Sequence, residues 1–383
     1  MASIHTTKPR SRLGRVALLL LAISCLFTGI WGGLLRVPLR LPLPVDHANW
    51  ISFHGPMMVC GFLGTVISLE RAVGLRALWT FLAPLCACVG GGALAAGVLA
   101  PWPRWLLIAA SGVYVAVTVR ILQIQPNLSN TVMGLGAVAW TVGNLLWALG
   151  QSIPQVVLWW LTFLLLVIVA ERLELSRFQK PSPLARPWLV VALVWLGIGL
   201  VLGGAVPRTG GLVTGAGLLV LAGWLLRFDL AWRTIRHPGL PRFMAICLLS
   251  GHAWLTLTGI LIALRWPQSS GVSYDATLHS FFLGFVFSMI FGHAPVIFPA
   301  VLGLPVQYRW TAYVPLVALH LSLGVRLWGD LAGRADWRGW GAAGNAVAVG
   351  LFLLNMALGF VLAGAAALRM QRRRRRQTGA AAG

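Results

Sequence analysis

The sequence predicts an all-α membrane protein, a polytopic bundle of about twelve transmembrane helices with both termini in the cytoplasm. Of its 383 residues, 58% are hydrophobic and 10% are charged, whereas about 25% of an ordinary soluble domain is charged. Apolar stretches of about 20 residues, the length needed to cross a bilayer core of roughly 30 Å, recur along the chain. This composition excludes a soluble domain, a disordered chain and a disulfide scaffold.

Twelve apolar stretches account for most of the chain. The predicted spans are residues 15–35, 51–72, 78–100, 104–124, 130–150, 154–174, 187–206, 210–227, 241–265, 275–303, 310–328 and 343–368. A polar connection that contains Pro181, Pro183 and Pro187 divides them into six and six. We therefore expect one integral membrane domain, 1–383, with possible halves 1–180 and 181–368 and a basic cytoplasmic tail, 369–383.

The basic residues predict the orientation of these helices. The chain has 30 Lys and Arg residues against 8 Asp and Glu, a net charge of +22. If the N-terminus is inside, all but eight of the basic residues fall on the cytoplasmic side, as the positive-inside rule requires. The eight exceptions are Arg36, Arg40, Arg104, Arg208, Arg265, Arg326, Arg334 and Arg338. No base-stacking aromatic residues interleave the Arg372 to Arg376 run, so the lipid bilayer, not nucleic acid, is the expected partner.

Histidine recurs at membrane depth, where ionisable residues are rare and are candidates for function. All acidic residues fall at predicted span ends or in loops, where a neighbouring Arg or interfacial water is the expected partner. Five of the eight histidines instead fall within predicted spans: His54, His252, His279, His293 and His320. Imidazole is a common ligand of haem iron and copper. For each of them the alternative is a structural ring hydrogen-bonded across a helix interface.

His54 and His279 have matching depths. With a rise of about 1.5 Å per residue, both lie near the outer ends of their helices, so one haem iron would reach both. Neither is expected to have an acidic neighbour on its own helix face. Rotation of 100° per residue places Met58 and Gly61 on the His54 face, where Gly61 either leaves room for a flat macrocycle or lets two helices approach closely.

The other three histidines lie deeper. His252 and His320 both fall near mid-membrane, which makes them a second candidate pair of metal ligands. His293 follows His279 on the same helix but lies roughly 21 Å below it, so one metal cannot bind both. It remains a separate candidate ligand.

Two segments carry a family resemblance. HGPMMVCGF at 54–62 and DATLHSFFLGFVFSMIFGHA at 275–294 resemble the NnrS family and, more distantly, the large subunit of haem-copper oxidases. NnrS proteins are haem- and copper-containing membrane proteins of denitrifying and nitric-oxide-stressed bacteria. The resemblance implies a bacterial cytoplasmic membrane, haem b bound by His54 and His279, and copper as a second metal. It also implies a redox partner and a role in electron transfer or in nitric-oxide or metal stress handling.

The chain departs from the oxidases in lacking an adjacent histidine pair and a His-x-His motif. Gas reduction at a binuclear centre is therefore not implied, and whether the chain is an enzyme stays open. Two other functions remain: a polytopic transporter, and an assembly or scaffold protein with structural histidines. Only the haem protein predicts a strong haem absorption band.

Overall fold

A computed structural model describes residues 9–39, 48–176 and 182–380. In these residues the regular structure is entirely helical, and twelve helices are long and apolar enough to cross a membrane. The predicted all-α fold with about twelve helices of membrane-spanning length is therefore confirmed. We number these spans α1 (Arg12–Leu34), α2 (Asn49–Leu75), α3 (Leu78–Ala95), α4 (Trp102–Ile124), α5 (Leu128–Ala148), α6 (Ile153–Ser176), α7 (Ala185–Ala205), α8 (Pro207–Thr234), α9 (Leu240–Arg265), α10 (Val272–Leu302), α11 (Trp310–Leu331) and α12 (Ala335–Met370).

The helices extend further than their apolar stretches at both ends of the chain. The first helix begins at Pro9, and the last runs from Ala335 to Ala380, which includes most of the basic tail. An apolar window finds only the part of a helix that suits a bilayer, because the backbone hydrogen bonds continue into polar sequence. The predicted division at residue 180 lies outside the described residues, as does His47, a histidine at the outer edge of the second predicted span.

α6 and α10 form the centre of the bundle. In their most apolar windows, 72% of α6 and 67% of α10 is buried, more than in any other span of the described chain. Sequence neighbours pack side by side, as in α5 with α6, α7 with α8 and α11 with α12. α10 contacts α9 and α11 and also reaches α1, α2 and α6. This one helix therefore joins the first six helices to the last six.

Contacts between helix termini define the two ends of the bundle. At one end, which we call the cavity end, Nη2 of Arg338 lies 3.5 Å from the carbonyl oxygen of Arg36. We call the other end the Arg172 end, because Arg172 lies there near the end of α6. At this end Nη1 of Arg15 donates to the carbonyl oxygen of Val301 at 3.3 Å. The start of α1 thus lies beside the end of α10, as expected for helices that alternate in direction.

Candidate functional site

A cavity of about 310 Å³ opens at the cavity end between helices of both halves. Its wall is mainly apolar and includes Met58, Leu283 and Val349, and His54 and His279 also line it. Three arginines stand at the same cavity: Arg36, Arg326 and Arg338. An apolar cavity with a few converging polar groups is the usual form of a cofactor or small-molecule site.

His54 and His279 face one another in this cavity. Their ring centroids are 6.3 Å apart and their ring planes differ by 20°. His54 comes from the beginning of α2 and His279 from the first third of α10, so the matching depth expected from the sequence brings the two rings together. No other pair of the five predicted histidines is in ring contact within the described residues.

Each of these two rings is held at Nδ1 by a backbone carbonyl. Nδ1 of His54 lies 2.6 Å from the carbonyl oxygen of Gly29, and Nδ1 of His279 lies 2.9 Å from the carbonyl oxygen of Asp275. Because a carbonyl oxygen only accepts, Nδ1 of each neutral ring carries the hydrogen and donates it. Each Nε2 therefore keeps its lone pair, which is the arrangement that metal-binding histidines adopt.

An acidic side chain stands beside His279, contrary to the expectation from the sequence. Oδ1 of Asp275 lies 3.3 Å from Nδ1 of His279. Asp275 also accepts two hydrogen bonds from Arg326, each of 2.8 Å, from Nε and Nη2. Its four-residue separation from His279 places both on one face of α10, so the Asp-x-x-x-His spacing was the signal that could have found it.

A π-helical segment follows each of the two histidines. In α2 it spans Met57–Gly64, and in α10 it spans Ser280–Phe287. Such wide turns are uncommon and frequently occur at functional sites. They also change the rotation per residue, so a count of 100° per residue fails beyond the histidine.

This change of rotation corrects the placement of Gly61. Met58 lines the cavity as expected, but Gly61 is not among the lining residues. A Cβ on Gly61 would instead stand 3.1 Å from Sγ of Cys25 and 3.1 Å from Cα of Gly91. Gly61 therefore lets α2 approach α1 and α3, and it does not make room for a macrocycle.

His252 and His293 belong to a second polar cluster, near the Arg172 end. Nη2 of Arg172 and Nε2 of His293 are 2.8 Å apart, and Nη1 of Arg172 lies 3.9 Å from Oδ1 of Asp229. Nε2 of His252 lies 3.7 Å from Oδ2 of Asp229. The four residues come from α6, α8, α9 and α10. The sequence placed Asp229 at a span end with an Arg or interfacial water as its partner; Arg172 is that partner, and the Asp229 side chain is only 1% exposed, so it does not face water.

His320 does not join His252. Nε1 of Trp254 donates to Nδ1 of His320 at 2.9 Å, so Nε2 carries the hydrogen and faces Oγ of Ser250 at 3.0 Å. Ser250 and Trp254 lie one turn apart on α9, on the face opposite His252. The predicted His252–His320 metal pair is therefore not brought together, because protein groups occupy both nitrogens of His320.

In the described residues, potential metal-ligating side chains do not gather into a metal site. No group of three or more His, Cys, Asp or Glu residues there is arranged to hold a metal ion. The geometry thus gives no support to the predicted copper site. Haem differs, because its porphyrin supplies four of the iron's ligands and the protein needs to provide one or two.

The fold and this site define a class: a multi-pass helical membrane protein with a facing imidazole pair in an apolar cavity at one end. Residues 15–361 match a family described as Domain of unknown function (DUF8744). The chain belongs to this family. No curated protein matches the chain, and no solved structure matches it.

Proposed function

We propose that the chain is a haem-binding membrane protein in which His54 and His279 are the axial ligands of one haem b. It acts in electron transfer or in nitric-oxide or metal stress handling in a bacterial cytoplasmic membrane, with its cavity end outward and both termini in the cytoplasm. One observation carries the proposal: two imidazoles face each other in an apolar cavity, each with Nδ1 bonded to a backbone carbonyl.

The residues present fit this group. If both Nε2 atoms point at one ion from opposite sides, each at about 2 Å, the ring centres stand roughly 6 Å apart; the centroids here are 6.3 Å apart. When bound, the haem supplies a one-electron couple. The chain's own contribution is to fix the orientation of the two rings through the backbone carbonyls of Gly29 and Asp275, and to exclude water with the apolar wall that contains Met58 and Leu283.

A transporter is the second candidate, and one observation favours it. Intramembrane ionisable residues commonly mark the path of an ion or substrate, and Asp229 with Arg172 is such a pair, enclosed between helices of both halves. The Asp229 side chain is 1% exposed, so this carboxylate is enclosed in the bundle near the Arg172 end. An assembly or scaffold role remains the third candidate.

The absorption spectrum of the purified protein separates these functions. The protein is expressed with an adequate haem supply, purified in detergent, and compared with His54→Ala and His279→Ala variants. We expect a strong haem band in the wild type that is abolished or shifted in both variants. His320→Ala is the matched control, because it also removes a membrane-embedded imidazole but one whose nitrogens have protein partners; its haem content should equal that of the wild type.

Helical content and membrane insertion must be unchanged in all three variants. A wild-type protein without a haem band would overturn the proposal and leave the transporter and scaffold candidates. Unchanged spectra in both His54→Ala and His279→Ala would overturn the ligand assignment.

A further inference from the structure

The two facing imidazoles have different partners. His54 is bonded at Nδ1 to the carbonyl oxygen of Gly29 on α1. His279 is bonded at Nδ1 to the carbonyl oxygen of Asp275, and in addition lies 3.3 Å from the carboxylate of the same residue. A neutral dipole thus supports one ring, and a dipole together with a negative charge supports the other.

Arg326 fixes the carboxylate beside His279. Its guanidinium donates to both oxygens of Asp275 in a two-bond fork, the geometry that holds a carboxylate most rigidly. The Arg326 side chain is 7% exposed and that of Asp275 15% exposed. Because Arg326 lies on α11 and Asp275 on α10, the position of the carboxylate depends on how these two helices pack, as well as on its own helix.

We infer that Asp275 is a positioning residue that makes His279 the more strongly electron-donating of the two ligands, and that Arg326 limits this effect by sharing the carboxylate's charge. This inference rests on the proposed function. A carboxylate near the outer nitrogen of a ligating imidazole raises the basicity of the ligand more than a carbonyl does. A more basic ligand stabilises the oxidised, more positive metal, so Asp275 lowers the reduction potential.

The test is a redox titration of the haem-loaded protein, followed by its absorption band. In Asp275→Asn the shape of the side chain and the backbone bond to His279 are kept while the charge is lost. We expect the midpoint potential to rise by at least about 59 mV. For a one-electron couple this corresponds to a tenfold change in the ratio of oxidised to reduced protein at a fixed potential. Haem content should not change.

Asp336→Asn is the matched control. Asp336 is an exposed residue at the start of α12, at the same end of the bundle, so this variant removes the same charge without touching His279. Its potential should stay close to that of the wild type. Equal potentials in Asp275→Asn and Asp336→Asn would show that only long-range charge matters, and would overturn the inference.

A second variant tests the role of Arg326, and here the reduction potential should change in the opposite direction. Arg326→Lys keeps the positive charge but gives up the two-bond fork, which frees the carboxylate to act on His279, so the potential should fall. It also serves if Asp275→Asn fails to accumulate. An Arg326→Lys potential equal to or above the wild-type value would contradict the inference. A wild type without haem would contradict the proposed function instead, and a folded Asp275→Asn protein without haem would show that Asp275 retains the cofactor and does not tune it.

Discussion

Gly33 is the position where a single methyl group tests the geometry of the site most directly. It lies near the end of α1, one turn beyond Gly29, whose carbonyl accepts from His54. A Cβ added to Gly33 would stand 2.8 Å from Cε1 and 3.0 Å from Nδ1 of His54. Carbon atoms normally approach to about 3.5–4.0 Å, so Gly33→Ala should push the imidazole away by roughly 0.7 Å.

The expected change in unfolding free energy combines two destabilising effects and one stabilising effect. Overpacking costs about 1–3 kcal/mol, and loss of the bond from His54 to Gly29 costs about 0.5–1.5 kcal/mol. The gain from replacing a helical glycine by alanine is about 0.5–1 kcal/mol. Gly33→Ala should therefore lower the free energy of unfolding by about 0.5–4 kcal/mol, and it should also shift or weaken any haem band.

Gly92→Ala provides the control. Gly92 is likewise half-buried near the end of its helix, α3, but a Cβ there meets nothing within 4 Å. It should show only the gain in helix propensity. Thermal unfolding in detergent, followed by circular dichroism, measures both variants. If Gly33→Ala were as stable as Gly92→Ala, with an unchanged spectrum, the close approach of α1 to His54 would be refuted.

Three further predictions follow from the charged residues. Replacing Arg172 by Met leaves the buried Asp229 carboxylate without its cation and should cost about 3–5 kcal/mol in unfolding free energy, most of which the double variant Arg172→Met/Asp229→Asn should recover. Replacing Glu171 by Gln removes one of the two acidic partners of Arg71, the other being Glu70, but the Glu171 and Arg71 side chains are 30% and 21% exposed, so the same assay should show a loss below about 1 kcal/mol. A reporter active only in the periplasm should be inactive when fused after Arg376, whereas an active fusion would exclude a cytoplasmic C-terminus.

The number of helices and the depth of the histidines are properties of the sequence alone. Hydropathy depends on composition over about 20 residues, and depth depends on a nearly constant rise per residue. Both quantities are local and tolerate boundary errors of several residues. For this reason all twelve spans are found in the described structure, and His54 and His279 lie at matching depth.

Which side chain lies across from which was decided by tertiary packing. The π-helical turns after His54 and His279 change the rotation about the helix axis, so Gly61 leaves the cavity wall that a regular helix predicts. Partners from other helices are invisible to a pattern along one helix, as with Trp254 on His320.

The same holds for the charged groups. Arg172 and Asp229 lie at the ends of their apolar stretches, and hydropathy places them beside water. Neighbouring helices close over them instead, because α6 and α8 meet α9 and α10 at this level of the bundle. The position of a residue along a helix axis follows from counting residues at a constant rise. The direction in which its side chain points around the axis, and the helix that it contacts, depend on the packing of the whole bundle.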